Sequence, residues 1–268
     1  MHLPSIATAV PVTDSVTVIP SFLPVAGFGV LPINAILING NEPVLVDAGI
    51  SVVQNEFMSE LSNCINLSEI RWIWITHADP DHTGNLKALL DAAPKATVIT
   101  TFVGMGKLNL AGFPVDRVRL VNPGEDFVVG ERRLQAVTPP TFDAPETTAI
   151  FDPRDQILFS SDCCGALLPD AYQRANDIPD DILREGIIGW TRVDAPWLDF
   201  VDAAQFETSL DRFRALAPRH VLSSHLPPAE NIAEKLLDAV AAARLAPAFS
   251  GPDQMTFDAI MANAGGII

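Results

Sequence analysis

The chain has 268 residues, 48% of them apolar and 19% charged, the make-up of a folded globular protein rather than a disordered or collagen-like one. Its 17 basic and 33 acidic side chains leave a formal charge of −16, which argues against a phosphate backbone as the main partner, because nucleic-acid binding rests on clustered Lys and Arg. Cys64 stands alone and Cys163 and Cys164 are adjacent, the N-terminus has no basic start followed by an apolar core, and no apolar run reaches the roughly 18 residues of a membrane span, so the expectation is a cytoplasmic protein in a reducing compartment with no membrane partner.

Residues 16–19, 33–38 and 43–47 are short β-rich runs, the last two joined by a turn at Asn39-Gly40-Asn41 and closed by Asp47-Ala48-Gly49. Residues 51–63 carry apolar positions at helical spacing. RWIWIT (71–76) predicts a strand buried on both faces, and residues 82–92 a helix with Asp81 as N-cap and Leu86, Leu89 and Leu90 on one face. KATVITT (95–101) is another buried strand. DRVRLV, EDFVVG and RRLQAV predict a β-meander over 116–137, and TAIFDP and QILFSSD add two strands, the second ending at Asp162. Residues 205–216 and 229–244 are helical patterns with the strand HVLSSH (220–225) between them, and Pro227 and Pro228 fix the turn into the last helix. With no repeat, low-complexity tract or linker, the order fits one layered α/β domain over residues 1–268, helices on its outer faces.

The chemistry concentrates in THADPDHTGN (76–85), where His77, Asp79, Asp81 and His82 fall within six residues between a buried strand and a helix. Singly, Asp81 is an ordinary N-cap and Asp79 before Pro80 an ordinary turn residue. Together they are imidazole and carboxylate donors of the kind first-row divalent metals prefer, and without a cation such a cluster would repel and lose solvation. Two more strands end in matching groups, Asp162 and His225.

The His-x-Asp-x-Asp-His pattern followed by Asp162 and His225 resembles the metallo-β-lactamase superfamily, which implies an αββα sandwich with a dinuclear metal site; the resemblance covers about residues 15–245. Asp47-Ala48-Gly49 matches that family's early Asp-x-Gly turn and implies a structural role for Asp47. The acid at position 79 resembles the flavodiiron branch, whose pattern is His-x-Glu-x-Asp-His, and ILFSSDCCGA is similar to its LFS-x-D-x-FG stretch. The spacings from His77 to Asp162 (85) and to His225 (148) fit the same branch. Two departures stand out. Where that branch has a His-Trp-Pro segment this chain has PPTFDAPETT, so Asp143 is either a substitute ligand or leaves its position to water. The sequence also ends at residue 268 without the flavodoxin-like domain, so no FMN and no electron donor are expected in this chain.

Carried over, the resemblance implies one metal on His77, Asp79 and either Asp143 or water, another on Asp81, His82 and His225, and Asp162 bridging them. The four carboxylates balance two divalent cations, and a shell of three imidazoles and four carboxylates suits iron or manganese better than zinc. The implied function is a diiron protein that binds, senses or reduces O2 or NO with a flavoprotein or rubredoxin-like donor in trans; the alternative is a metal-dependent hydrolase of a small ester, thioester or lactone. Cys163 and Cys164 read as small buried side chains behind the site, and His220, five residues before His225, as a structural group on the opposite strand face. His2 lies in a segment expected to be loosely held. The segment 186–200, with Trp190, Trp197 and Phe200, reads as a lid, a homodimer contact or plain core packing.

Overall fold

In a computed structural model that describes residues 3–263, side chains alternating along the strands build two sheets face to face between outer helical layers, the expected αββα arrangement. His2 lies outside the described residues. The first sheet contains β1 (Ser5–Ile6), β2 (Val10–Pro11), β3 (Val16–Val25), β4 (Gly29–Ile38), β5 (Val44–Val46), β6 (Trp72–Trp74), β7 (Thr97–Thr100) and β8 (Val118–Leu120). Its order is β1-β3-β4-β5-β6-β7-β8 with β2 beside β3, antiparallel as far as β5 and parallel from β5 to β8. The second sheet contains β9 (Asp126–Val129), β10 (Arg132–Val137), β11 (Ala149–Asp152), β12 (Ile157–Ser161), β13 (His220–Ser223) and β14 (Ala229–Glu230), in the order β14-β13-β12-β11-β10-β9, with β12 and β13 parallel.

The helices are α1 (Gln54–Cys64), α2 (Pro80–Thr83), α3 (Leu86–Ala92), α4 (Phe102–Leu110), α5 (Asp180–Asp194), α6 (Ala203–Ala215), α7 (Ala233–Ala243) and α8 (Gln254–Asn263). Period-2 alternation sorts the apolar residues. Val16, Val18, Ile36, Ile38, Val44, Val46 and Trp74 of the first sheet meet Phe127, Leu134, Ile150, Ile157 and Phe159 of the second in the middle layer. Ala35, Leu37, Leu45 and Ile73 turn the other way, onto Phe57 and Leu61 of α1, Leu86 and Leu89 of α3 and Leu108 of α4. Phe151, Leu158 and Val221 of the second sheet pack on α5, α6 and α7. No helix among the described residues is long and apolar enough to cross a membrane.

Several expectations are corrected. The first strands run on to Val25 and start from Gly29, because β3 and β4 pair over ten residues each. The three-strand meander does not form: Val118–Leu120 joins β7 in the first sheet, and only β9 and β10 form a hairpin in the second. The expected helix over 82–92 is two helices broken at Gly84-Asn85, and Asp81 is not its N-cap. Asp79 holds the N-cap position of α2, with Pro80 as first helical residue, and its side chain makes no capping bond. Pro227 and Pro228 lead into β14, so the last of the expected helices begins at Ala233 rather than 229. Helices α4, α5 and α8 were not anticipated.

The break at Gly84 lets the chain press onto the turn after β5. Gly84 N–H donates to Gly49 O (2.9 Å), Ala48 N–H to His82 O (2.8 Å) and the Asn85 amide to Ala48 O (2.7 Å). A Cβ at Gly84 would meet Gly49 O and Ser51 N, both backbone atoms, at 2.5 Å. Gly84→Ala is therefore expected to destabilise by about 1–3 kcal/mol, the usual range for overpacking; an unchanged urea midpoint would count against this close fit. The two sheets are also stitched together by Asn34 of β4. Its N–H donates to Ser224 O (2.9 Å) and its amide to Ser223 O (2.8 Å) and Leu226 O (2.7 Å), on either side of His225.

Candidate metal centre

Open sheets collect their sites at the carboxyl ends of parallel strands. Here Asp47 follows β5, the segment 77–82 follows β6, Asp162 follows β12, and His225 stands two residues beyond β13. Because β13 stops at Ser223, His225 belongs to a loop, and strand alternation does not relate it to His220, which starts the same strand at its far end. Asp47 takes a left-handed backbone (φ 58°) and is buried. Its carboxylate accepts from Thr76 N–H (2.8 Å), the Thr76 hydroxyl (2.9 Å) and the Ser224 hydroxyl (3.3 Å), and faces His82 Nδ1 at 2.8 Å.

The three imidazoles share one plan. A carboxylate only accepts, so His82 Nδ1 carries the proton toward Asp47. His225 Nδ1 donates to Pro32 O (2.8 Å). His77 Nδ1 faces the hydroxyls of Thr76 and Ser161, each at 3.3 Å. Nε2 of all three is thus the nitrogen turned to the interior, and none of the three Nε2 atoms has a hydrogen-bond partner. Metal-binding histidines are held in this way by partners on the other ring nitrogen.

The carboxylates converge on those nitrogens. Asp162 Oδ1 lies 3.1 Å from His82 Nε2 and 3.4 Å from His225 Nε2, while Oδ2 lies 3.7 Å from His77 Nε2. Asp81 Oδ2 is 3.3 Å from His225 Nε2 and 3.6 Å from His82 Nε2. Asp143 Oδ1 is 3.8 Å from His77 Nε2. Ligand atoms mutually within 4.8 Å form the groups His77-Asp79-Asp143, Asp81-His82-His225 and His77-His82-Asp162. The structure thus brings all seven expected residues into one cluster, divided as the two expected halves with Asp162 between them. The four buried atoms without partners (Nε2 of His77, His82 and His225, and Asp162 Oδ1) fit a pair of cations well and fit an empty interior badly.

Charge couples these groups. Burial opposes ionisation of Asp162, yet His225, His82 and His77 hold its carboxyl well below the usual range. Burial also opposes protonation of His82, but Asp47, Asp162 and Asp81 raise its pKa well above the ordinary value; Asp162 and Asp81 do the same to His225 more modestly. Burial pushes Asp143 up, and the Asp162 and Asp79 charges add to this against the pull of His77. In metal-free protein the stability contributed by protonated His82 and His225 is complete below about pH 6.5 and is lost as pH rises through their raised folded-state values. The raised Asp143 carboxyl acts in the same direction. Asp162 contributes stability above about pH 3.9 that is lost as pH falls through its lowered value. The Tm of chelator-treated protein is therefore expected to fall between about pH 6 and 8, while metal, by displacing those protons, stabilises more as pH rises. Thermal melts with and without chelator check this; a metal-free Tm that rises over that range would contradict it.

One residue of the cluster had no signal in the sequence. Asp194, the last residue of α5, is buried, and burial together with Asp162 and Asp143 pushes its carboxyl well above the usual range. A lone Asp at a helix end carries no spacing pattern. The segment 186–200 covers the site's flank: Trp190 lies 4.5 Å from the His225 ring and donates to Asp162 O (3.2 Å), Trp197 donates to Phe142 O (2.7 Å), and Phe200 is 90% exposed. Cys163 and Cys164 are buried in the layer under α5, α6 and α7 with their sulfurs 3.9 Å apart.

Residues 31–185 match the family model described as ODP family beta lactamase, a span that contains His77, Asp79, Asp81, His82, Asp143 and Asp162 but not His225. The type A flavoprotein of Rhodobacter capsulatus is 30% identical over 199 residues, 72% of this chain and 45% of that protein. A point mutant of the flavo di-iron protein of Thermotoga maritima superposes with a TM-score of 0.78 at 21% identity, over 90% of this chain and 62% of that one. Rubredoxin oxygen:oxidoreductase of Desulfovibrio gigas gives 0.76 at 17% identity, over 89% and 61%. At these identities the structural likeness speaks for the fold. The chain spans less than half the length of the curated relatives it matches.

Proposed function

The chain belongs to the ODP family beta lactamases, and from its site we propose that it is a dinuclear non-haem iron protein that binds or reduces O2 or NO, with electrons from a flavin- or rubredoxin-type donor. The observation that carries this reading is the set of three buried Nε2 atoms and Asp162 Oδ1 with no partner other than one another. His77, Asp79 and Asp143 would hold one ion, Asp81, His82 and His225 the other, and Asp162 would face both. Bound there, a pair of irons supplies the redox change that reduction of O2 or NO requires. The chain's own contribution is position and exclusion. Asp47 and Pro32 O fix the imidazole tautomers, Asp162 neutralises charge between the halves, and Trp190 shields His225 from water. Oxygen and imidazole donors without a thiolate suit iron, with manganese and zinc as competitors decided by supply.

The named relatives are flavoproteins and flavo di-iron or rubredoxin-linked proteins, which supports redox chemistry and does not favour the hydrolytic alternative. The test is metal content with the optical spectrum of protein purified without added metal, then reduced and exposed to O2. About two irons per chain, with a charge-transfer band that changes on reduction and returns with O2, supports the proposal. A full complement of zinc and a featureless spectrum, persisting after iron-supplemented expression, overturns it and moves the search to ester and thioester hydrolysis.

A further inference from the structure

We propose that Asp194 is a further metal-holding carboxylate, which makes the two halves of the centre chemically unlike; this rests on the dinuclear reading above. Asp194 is 6% exposed, and its Oδ2 has no hydrogen-bond partner. One of its oxygens lies with one of Asp143 and one of Asp162 in a group mutually within 4.8 Å. Among the described residues no Lys or Arg pairs with any of the three; Asp143 and Asp162 meet only imidazoles, and Asp194 meets no cation at all. Three carboxylates so close repel one another, and the two buried ones, Asp162 and Asp194, also lose their hydration; a metal ion that takes all three offsets both costs.

The placement of Asp194 is firm. It ends a fifteen-residue helix that packs on the second sheet through Leu183 and Ile187, and Trp190, one turn earlier, is fixed to Asp162 O. Gly165 is what admits that indole, since a Cβ there would meet the Trp190 ring at 2.6 Å. The helix end thus brings a carboxylate oxygen of Asp194 into one group with Asp143 and Asp162, while no ligand group among the described residues joins it to His82 or His225.

The consequence is asymmetry. Asp143 groups with Asp194 and also with His77 and Asp79, so Asp194 would add a fourth donor to the His77-Asp79-Asp143 half; the other half offers His82 and His225 with Asp81. Oxygen-rich shells favour harder cations and imidazole-rich shells favour the softer end of the first-row series, so the His77 half selects manganese or ferric iron and the His82 half ferrous iron or zinc. Ionised around bound metal, the carboxylates Asp79, Asp81, Asp143, Asp162 and Asp194 would supply five negative charges, which a divalent and a trivalent ion together would balance.

The test is metal binding to the chelator-treated full chain, with Mn2+ alone and Zn2+ alone as probes, read by bound metal per chain and, for Mn2+, by the exchange-coupled EPR signal. Asp194→Asn has the same shape and removes the group that can become an anionic donor; Asp194→Ser is the second variant should the amide prevent folding, and far-UV circular dichroism reports the fold. The expected result is that wild type takes up about two ions, while the variant keeps one tightly and holds the other roughly 10-fold or more weakly, with the coupled signal lost and the deficit larger for Mn2+ than Zn2+. A folded variant that binds both ions like wild type overturns the proposal and leaves the dinuclear reading intact. Wild type that binds no pair overturns both.

Discussion

Asp162→Asn is expected to empty both halves of the centre at once. Among the described residues Asp162 is the one carboxylate that reaches Nε2 of His77, His82 and His225 together, at 3.7, 3.1 and 3.4 Å. An amide presents one oxygen and one donor, so it cannot offer an anionic lone pair on both sides. The loss in metal affinity should exceed the roughly 10–100-fold typical when only an outer partner of a ligand is removed. The metal-free variant also loses the anion that sits among three buried imidazoles; breaking such a buried pair costs about 3–5 kcal/mol when the other partner stays charged. Since His82 and His225 can release their protons, that cost should show below about pH 6.5 and shrink above it. Bound metal by elemental analysis and Tm at two pH values read both effects; a variant that retains a full complement of metal would remove Asp162 from the shared position.

The second large effect comes from a residue that touches no metal in this reading. Asp47→Asn keeps the size of the side chain and can still accept from Thr76 N–H, but its amide nitrogen can donate toward His82. His82 then satisfies that group by accepting at Nδ1, which moves the ring proton to Nε2, the atom aimed at the cluster. A protonated Nε2 is no ligand. About 10–100-fold weaker binding is expected for the ion on the His82 side, with the fold kept, whereas Asp47→Ala should also destabilise because Thr76 and Ser224 lose their acceptor. The ratio of the two metal affinities, rather than their sum, identifies the tautomer effect; equal weakening of both would count against it.

The parts of this molecule that could be read from its sequence are those encoded locally. His77, Asp79, Asp81 and His82 sit within one turn, and Asp162 and His225 follow apolar runs that can only be buried strands. Their convergence is local geometry plus parallel pairing. The partner choices of strands are another matter: nothing in DRVRLV says that β8 lies beside β7 rather than β9, because parallel pairing is decided by surfaces far apart in the chain. Helix α4 was hidden by Gly104 and Gly106, poor helix formers in isolation, and is held by Leu108 against the first sheet and by the Thr101 side chain accepting from Gly104 N–H. Helix α5 has no such local signal, because Trp190 within it and Trp197 beyond its end read together as a lid, a dimer contact or core. Asp194 comes to the site only through the packing of that helix, so no local pattern could reveal it. The N-cap role expected of Asp81 failed by two residues because Pro80 fixes the helix start, and that shift frees both acids to face inward.

The three hydrogen bonds by which Asn34 holds the loop around His225 have a consequence in time. The first sheet's main hairpin and the His77–His82 segment leave the ribosome early, but the loop that Asn34 grips lies 148 positions after His77. At about 5–20 residues per second, roughly 7–30 s separate the emergence of His77 from that of His225. During that interval Asn34 has unmet donors on what will become the inner face, and the early histidines and acids stand open to whatever ions the surroundings offer. Assembly of the cluster thus waits for the arrival of β13, and His225 joins the early histidines and acids only when the late segment closes over the early one.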